Sequence, residues 1–501
     1  MSFQNQAGDL ANIEEVLPAG MKTGLTASSL LLNSKTVKVV PQGGQTLGVP
    51  SASVAAGGGN KQLSFLCSGN GGLIDLRSVR LNYFVSVSGT TGPAVVDEGH
   101  PFSVFNVTLG GQPLEQITNA AKLTNMNMTL AGSKSYYCTA GSMQGFSALN
   151  GDLVSTLPVA AGGSVVASDS QYGYVSNNLV DAQSRQQRAA TVQTGNYIGE
   201  HRSIPLSLIS GFFRAKQYLP DMLGDLVITA STLSAAEYVF NAGASATGDY
   251  AIDGISIEYR VVFPDPRYTA VLRKVMTDPN DALLIAYESD IVSTGAQAAA
   301  SATALVENTF IVSRATSNLT RAAIAFVSAS GQANVNFPGQ SAFSHAGVYS
   351  AIIRVGSSTY PNFPAQGDGA LFNMSLAAYG SPVNENGTIT NRALWSQSTK
   401  WITGGGTPSS WETQKAVYTT ASTTDVKFAY GDRCVIAYGF RSAAGEADAV
   451  DLDGLNMSAA SGAQLQWVIQ QAPLETYQPY VALTAIRMIK CSGGSVNILG
   501  A

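Results

Sequence analysis

From Ile255 to Phe263 the chain alternates: Ile255, Ile257, Tyr259, Val261 and Phe263 fall on one side, and Ser256, Glu258 and Arg260 on the other. A period of two predicts a strand with one buried face and one wet face. Pro264-Asp265-Pro266 stops it, because proline donates no ladder hydrogen bond. Upstream, Ile204-Pro205-Leu206-Ser207-Leu208-Ile209, Gly211-Phe212-Phe213 and Tyr218-Leu219-Pro220 lead to a second strand-like run, Asp225–Ala230. These two runs read as the last pair of strands of a first β domain, which closes just past the middle of the chain.

The same alternation predicts earlier strands at Thr36–Val40, Gln62–Cys67, Val79–Val87 and Val104–Leu109. On the polar face of Val79–Val87 only Phe84 is out of character. Gly110-Gly111 predicts a tight turn, since glycine alone takes positive φ cheaply. From Pro113 to about Leu130, the positions of Leu114, Ile117, Ala121 and Leu123 approach helical spacing and predict a helix. Residues 131–200, rich in Gly, Ser, Ala and Gln, predict a large loop region holding one or two strands. Near the start, Leu10, Ile13 and Leu17 would share a face of a short amphipathic helix that Pro18-Ala19-Gly20 ends. A helix that short needs something to dock on. Tyr268, Val271, Leu272 and Val275 recur at helical spacing between Pro266 and Pro279, as in a helix linking two domains.

The second half runs through a similar order. Ala282–Ile291 is a strand; Ala322–Ser328 resembles Leu81–Ser86; Ser350–Gly356 resembles the strand before Gly110; Gly369–Tyr379 matches the helix after Pro113; Leu465–Ile469 resembles Leu226–Ile228; and Tyr480–Ile489 resembles the strand that closes the first half. The offsets are roughly 225 to 250 residues, which suggests two copies of one β domain. The expected class is all-β: two tandem antiparallel units, sandwiches or jelly rolls, with short helices and long loops. The expected parts are an arm over 1–36, a first domain over 37–264, a linker helix over 265–280 and a second domain over 281–501.

Composition narrows the class. Only 12% of residues are charged while 45% are hydrophobic. That is too apolar for a disordered chain and sparsely charged for a protein alone in water, so copies of the chain are expected to cover much of its surface. A net charge of -5, with no run of Lys or Arg, argues against coating nucleic acid. Cys67, Cys138, Cys434 and Cys491 are far apart and read as buried apolar side chains. No signal peptide or membrane span is expected, so the chain is expected in a reducing space.

Candidate chemistry is thin. His100 beside Asp97 and Glu98, and His201 beside Arg202, read as solvated; His345 has no acidic neighbour in sequence to orient it. Gly57-Gly58-Gly59-Asn60-Lys61 fails as a phosphate loop, because Gln62 stands where Ser or Thr is needed, and Gly404-Gly405-Gly406 reads as a flexible loop. Glu446-Ala447-Asp448-Ala449-Val450-Asp451-Leu452-Asp453-Gly454 carries four carboxylates but lacks the glutamate a calcium loop places after its glycine, and reads as an exposed acidic loop. Phe212-Phe213-Arg214, Lys216 and Tyr218 read as core or subunit contact rather than a base-stacking surface. No catalytic, cofactor-binding or metal-binding residue is assigned, no cofactor is expected, and the chain is not read as an enzyme.

The order of strand, Gly110-Gly111 turn and helix after Asn106, then Ile204-Pro205-Leu206-Ser207-Leu208 leading to Leu226-Val227-Ile228-Thr229 and Ile255–Phe263, resembles the double jelly-roll major capsid proteins of virophages and polinton-like tailless viruses. Cys434-Val435-Ile436-Ala437-Tyr438-Gly439, the acidic loop and Gly462-Ala463-Gln464-Leu465-Gln466-Trp467 extend the resemblance into the second half. It implies two upright eight-stranded jelly rolls per chain and a homotrimer of pseudo-hexagonal outline. It also implies an icosahedral virion built with neighbouring capsomers and a separate vertex (penton) protein, assembled inside the host cell. In such a protein the N-terminal arm would tie to a neighbour, a minor capsid protein or an internal membrane, and no sequence-specific nucleic acid is involved. Two rivals remain. A surface carbohydrate-binding or adhesion sandwich would use Trp395, Trp401 and Trp411 as sugar platforms. A glycoside hydrolase would pair Glu412 with Asp425 or Asp432.

Overall fold

The computed structural model describes residues 31–42, 62–88, 94–133, 199–215, 218–241, 249–278, 282–299, 305–312, 318–329, 339–341, 343–379, 433–440, 454–457, 464–473, 476–493 and 495–499, with positions 136, 140, 141, 144–146, 316 and 395 between them. In chain order the first half holds β1 (Leu31–Val39), β2 (Gln62–Cys67), β3 (Leu73–Ser88), β4 (Ala94–Val96), β5 (Phe102–Leu109), β6 (Gln112–Thr118), α1 (Ala120–Ala131), β7 (Gly199–Pro205), β8 (Tyr218–Pro220), β9 (Leu226–Thr232), β10 (Val239–Asn241) and β11 (Asp249–Pro264). Helix α2 (Pro266–Thr277) follows. The second half holds β12 (Leu283–Thr294), β13 (Val306–Val312), β14 (Leu319–Ser328), β15 (Val348–Val355), β16 (Ser358–Gln366), α3 (Gly367–Ala377), β17 (Val435–Gly439), β18 (Leu465–Gln471), β19 (Tyr477–Ser492) and β20 (Ser495–Leu499).

Each half is a sandwich of two four-stranded antiparallel sheets. The first pairs β1-β11-β3-β7 with β2-β9-β5-β6, and the second pairs β12-β19-β14-β17 with β13-β18-β15-β16. Short β8 adds to β3, β20 adds to β19, and β4 with β10 makes a small ribbon beside the first sandwich. The two orders are the same once the ribbon and the short strands are set aside: first, last, third and sixth strand in one sheet, the other four facing them. Successive strands therefore cross between sheets, except for the hairpins β5-β6 and β15-β16, as the Greek keys of a jelly roll require. The expected internal repeat is present element for element.

Local sequence explains the main elements. In β9, Leu226, Ile228, Ala230 and Thr232 are buried, and the residues between them face outward. Gly110 and Gly111 have φ of 54° and 82°, which is the two-residue hairpin turn whose twist matches the flanking strands. A Cβ on Gly110 would also lie 2.6 Å from the Leu223 carbonyl oxygen. Helix α2 starts at Pro266, capped by the Asp265 carboxylate, which accepts a 2.8 Å hydrogen bond from the Arg267 amide.

Three expectations are corrected. The helix expected from Pro113 is strand β6 as far as Thr118, because the Gly110-Gly111 turn returns the chain onto β5; Leu114 and Ile117 are buried as strand residues. Asn119, in the left-handed conformation, separates that strand from α1. The two runs read as a final pair, β9 and β11, lie in opposite sheets. The arm expected over 1–36 gives way to a strand at Leu31, and Ser34, Lys35 and Thr36 pair with Val262, Val261 and Arg260. The expected helix around Leu10, Ile13 and Leu17, and the strands expected within 131–200, lie outside the described residues except for β7.

One apolar core spans both halves. Ala120, Ala121 and Leu123 of α1 and Tyr268, Leu272 and Met276 of α2 share a buried cluster with Ala323, Ala325, Val435, Ala437, Tyr480 and Ala482 of the second half. Phe310, Ile324, Ile353, Trp467 and Leu483 fill the second sandwich separately.

Candidate functional site

The sandwiches are joined along a seam where helix α1 lies on the outer face of the β12-β19-β14-β17 sheet. Within its apolar contacts runs a buried polar row. Asp97 and Glu98 are each 1% exposed. The Asp97 carboxylate accepts hydrogen bonds from the Gln340 amide (2.8 Å), the Ser341 hydroxyl (2.5 Å) and the Glu98 amide (2.7 Å). Glu98 pairs with Arg433 at 2.5 Å, across 335 residues of chain. From α1, Lys122 donates to the Gln340 side chain (3.2 Å) and lies 4.8 Å over the Tyr480 ring, while Asn125 donates to the Gln340 carbonyl (3.0 Å). Arg202 holds the same loop from behind, donating to the carbonyls of Asp97 and Gly99.

Burial sets the electrostatics. It pushes the Asp97 carboxyl up to about 6, against the hydrogen bonds from Ser341, Gln340 and Glu98. It pulls the Lys122 ammonium down to about 8, against the charges of Glu237 and Asp97.

A second cluster lies at the β6 end of the seam. Glu115 accepts from the Asp290 amide at 2.6 Å and from the Ser210 hydroxyl. Arg214 donates to Glu288 (2.9 Å) and Asp290 (2.6 Å), and Thr484 donates to Asp290 (2.7 Å). Tyr287 and Arg487 both donate to the Leu114 carbonyl, at 3.1 and 3.2 Å. Burial and then the Asp290 charge push Glu115 up. For Arg214, burial works against the charged form, but Asp290 and Glu288 outweigh it and its pKa ends raised. The bonds of Glu115 to the Asp290 amide, of Arg214 to Glu288 and Asp290, and of Tyr287 and Arg487 to the Leu114 carbonyl run from one half to the other.

The residues singled out by sequence fall elsewhere than expected. His100 is buried, 2.9 Å from the Thr124 hydroxyl, and burial followed by the Arg202 charge holds its pKa down to about 3. Asp97 and Glu98 are interior, so the loop read as solvated is a structural joint. His345 does have an acidic neighbour, Asp368 of α3 at 3.2 Å, and meets the Trp395 ring edge-on. His201 is exposed beside Phe84. Trp395 is buried with its indole N–H on the Val435 carbonyl, so it offers no sugar platform. Phe212, Phe213 and Tyr218 are core. Cys67, Cys434 and Cys491 are buried free thiols whose pKa burial raises. Cys138, the glycine clusters at 57–59 and 404–406, Lys61, Lys216, the acidic loop as far as Asp453, Trp401, Trp411, Glu412, Asp425 and Asp432 lie outside the described residues. Among the described residues, no three His, Cys, Asp or Glu side chains are grouped as a metal ion would need.

Sequence reasoning missed the seam itself, and one signal for the repeat. Helices α1 and α3 end in nearly the same five residues, Asn127-Met128-Thr129-Leu130-Ala131 and Asn373-Met374-Ser375-Leu376-Ala377. The hydroxyls of Thr129 and Ser375 make the same bond, to the carbonyls of Asn125 and Leu371, both at 2.7 Å.

Neither protein-family models nor curated protein sequences match this chain. Solved structures do. PBCV-1 VP54, fitted into a cryo-EM reconstruction of the virophage Sputnik, is 12% identical, with 96% of this chain and 100% of that chain covered and a TM-score of 0.53. The quasi-atomic model of the PBCV-1 virus capsid gives 12% identity, 96% and 100% coverage and a TM-score of 0.52. The Faustovirus major capsid protein gives 9% identity, 96% and 94% coverage and a TM-score of 0.50. At such identities the likeness is one of fold, and it runs through both sandwiches: the chain is a tandem double jelly roll.

Proposed function

We propose that the protein is a major capsid protein, a structural rather than catalytic component of an icosahedral virion, that forms pseudo-hexameric homotrimers. The observation that carries this reading is the seam. Its continuous apolar core and buried ion pair join two like sandwiches into one two-lobed block, so that three copies give a six-lobed outline suited to hexagonal packing. Residues 31–264 and 281–501 would be the lobes, and 265–280 their connection. Residues 1–30 would reach from the first lobe, whose strand begins at Leu31, toward a neighbour, a minor capsid protein or an internal membrane. The sparse charge of 12% fits a chain whose sides are covered by copies of itself. Light scattering on size-exclusion fractions is expected to give three times the 52.0 kDa chain mass, with a pseudo-hexagonal outline in electron micrographs. A monomer at micromolar concentration would reject the capsomer.

A further inference from the structure

The helix and the sheet face of the in-chain seam each have a counterpart in the other half. Helix α1 is buried along most of its length. Its counterpart α3 is rich in Gly, Ala, Leu, Phe and Met, yet Gly369, Ala370, Asn373 and Ala377 lie exposed on one face. Aligned on the shared ending, Asn373 takes the place of Asn127. Asn127 accepts the Tyr379 hydroxyl across the seam at 2.9 Å.

The sheet faces also correspond. The face under α1 carries Ala323, Ala325 and Val435, with Ala325 paired to Val435 in the ladder. In the first half, Asn82, Phe84 and His201 hold those places, with Phe84 paired to His201 and their rings 4.8 Å apart. Asn82 and Phe84 are half-buried and His201 is exposed.

We propose that the exposed face of α3 seats the outer face of the β1-β11-β3-β7 sheet of a second copy of the chain, repeating between chains the contact that α1 makes within one. The sizes complement each other. Inside the chain, the large helix residue Leu123 shares a buried cluster with the small sheet residues Ala323 and Ala325. Between chains, Gly369, which takes the place of Leu123 in that alignment, meets the large ring of Phe84, so both seams can reach interior packing density with the bulk on opposite sides. This accounts for the one aromatic residue on the polar face of β3. The contact is head-to-tail, using a different surface on each copy, and such contacts close into rings when the rotation permits.

The inference rests on the capsomer reading, and the test separates the two. Chains carrying Asn82→Cys and Ala370→Cys together are treated with a short bismaleimide and run on denaturing gels, beside each single variant and the wild type. Linked dimers and trimers from the double variant alone are expected. In a second arm, Ala370→Trp, on an exposed position that the fold of the chain does not need, is expected to convert the trimer to monomer with an unchanged melting profile of the monomer. A wild type that is trimeric by light scattering, with no double-variant cross-link and with Ala370→Trp still trimeric, overturns this contact and leaves the capsomer standing. A monomeric wild type overturns both.

Discussion

Helices α1 and α3 sit at the same point of the same topology and end in almost the same residues, but one is interior and the other half-exposed. Their local sequences do not decide this. What decides it is whether a sheet face lies on them: the second sandwich covers α1, while nothing within the described chain covers the equivalent face of α3. The same holds for the sheets. The face beneath α1 is Ala-rich and buried, while its counterpart carries Lys38, Arg80, Asn82, Phe84, Glu258 and His201. A duplicated domain thus keeps its core pattern and diverges on the faces where its surroundings differ.

That contrast can be broken most severely at the ion pair. Arg433→Ala takes the cation of this pair away from buried Glu98, and about 3–5 kcal/mol of stability should be lost, read as a fall in denaturant midpoint. Replacing both partners with apolar residues of similar volume should restore most of it.

Acidity tests the same joint. Burial raises Asp97 from the ordinary 3.8 to about 6. Between those values the folded chain holds a proton that the unfolded chain has lost. The contribution of this group is therefore full below about pH 4 and is lost as pH rises through about 6. Relative to Asp97→Asn, which cannot titrate, the wild type should lose up to about 3 kcal/mol between pH 4 and pH 7, measured as the difference between their unfolding curves at each pH.

Packing sharpens the comparison further. Ala325→Leu, in the filled seam, should cost about 1–3 kcal/mol through overpacking. Ala370→Leu, on the open face of α3, should change the stability of the isolated chain by less than about 0.5 kcal/mol. Thermal melts of the two variants side by side decide it. The smallest effect belongs to the outer face of the first sheet. There Lys38 and Glu258 stand 3.9 Å apart with side chains 60% and 39% exposed, and Lys38→Ala should cost at most about 1 kcal/mol, and less in high salt.

How far the sequence spoke depended on the range of the interaction. Period-two runs such as Ile255–Phe263 named their strands, and the Gly110-Gly111 pair named its turn, because both are local. The order of elements revealed the repeat, although its sharpest mark, the shared ending of α1 and α3, went unnoticed beside the strand patterns. Leu114 and Ile117 misled because a spacing of three suits a helix as well as a strand whose pairing shifts register. The seam was illegible. Asp97 and Glu98 look like a charged loop until Gln340, Ser341 and Arg433 arrive from more than two hundred residues away, and His100 was misjudged with them.

Helix α2, twelve residues from Pro266 to Thr277, has a kinetic meaning beyond its packing. Six separate lobes would have to meet in a process whose yield falls with the sixth power of concentration. Tied in pairs by one short helix, the same six lobes meet as three bodies, and half of their contacts form at an effective concentration set by the tether rather than by the cell. In the capsomer proposed here, α2 lowers the molecularity of assembly, so that dilution weakens the ring by the cube of concentration and no more.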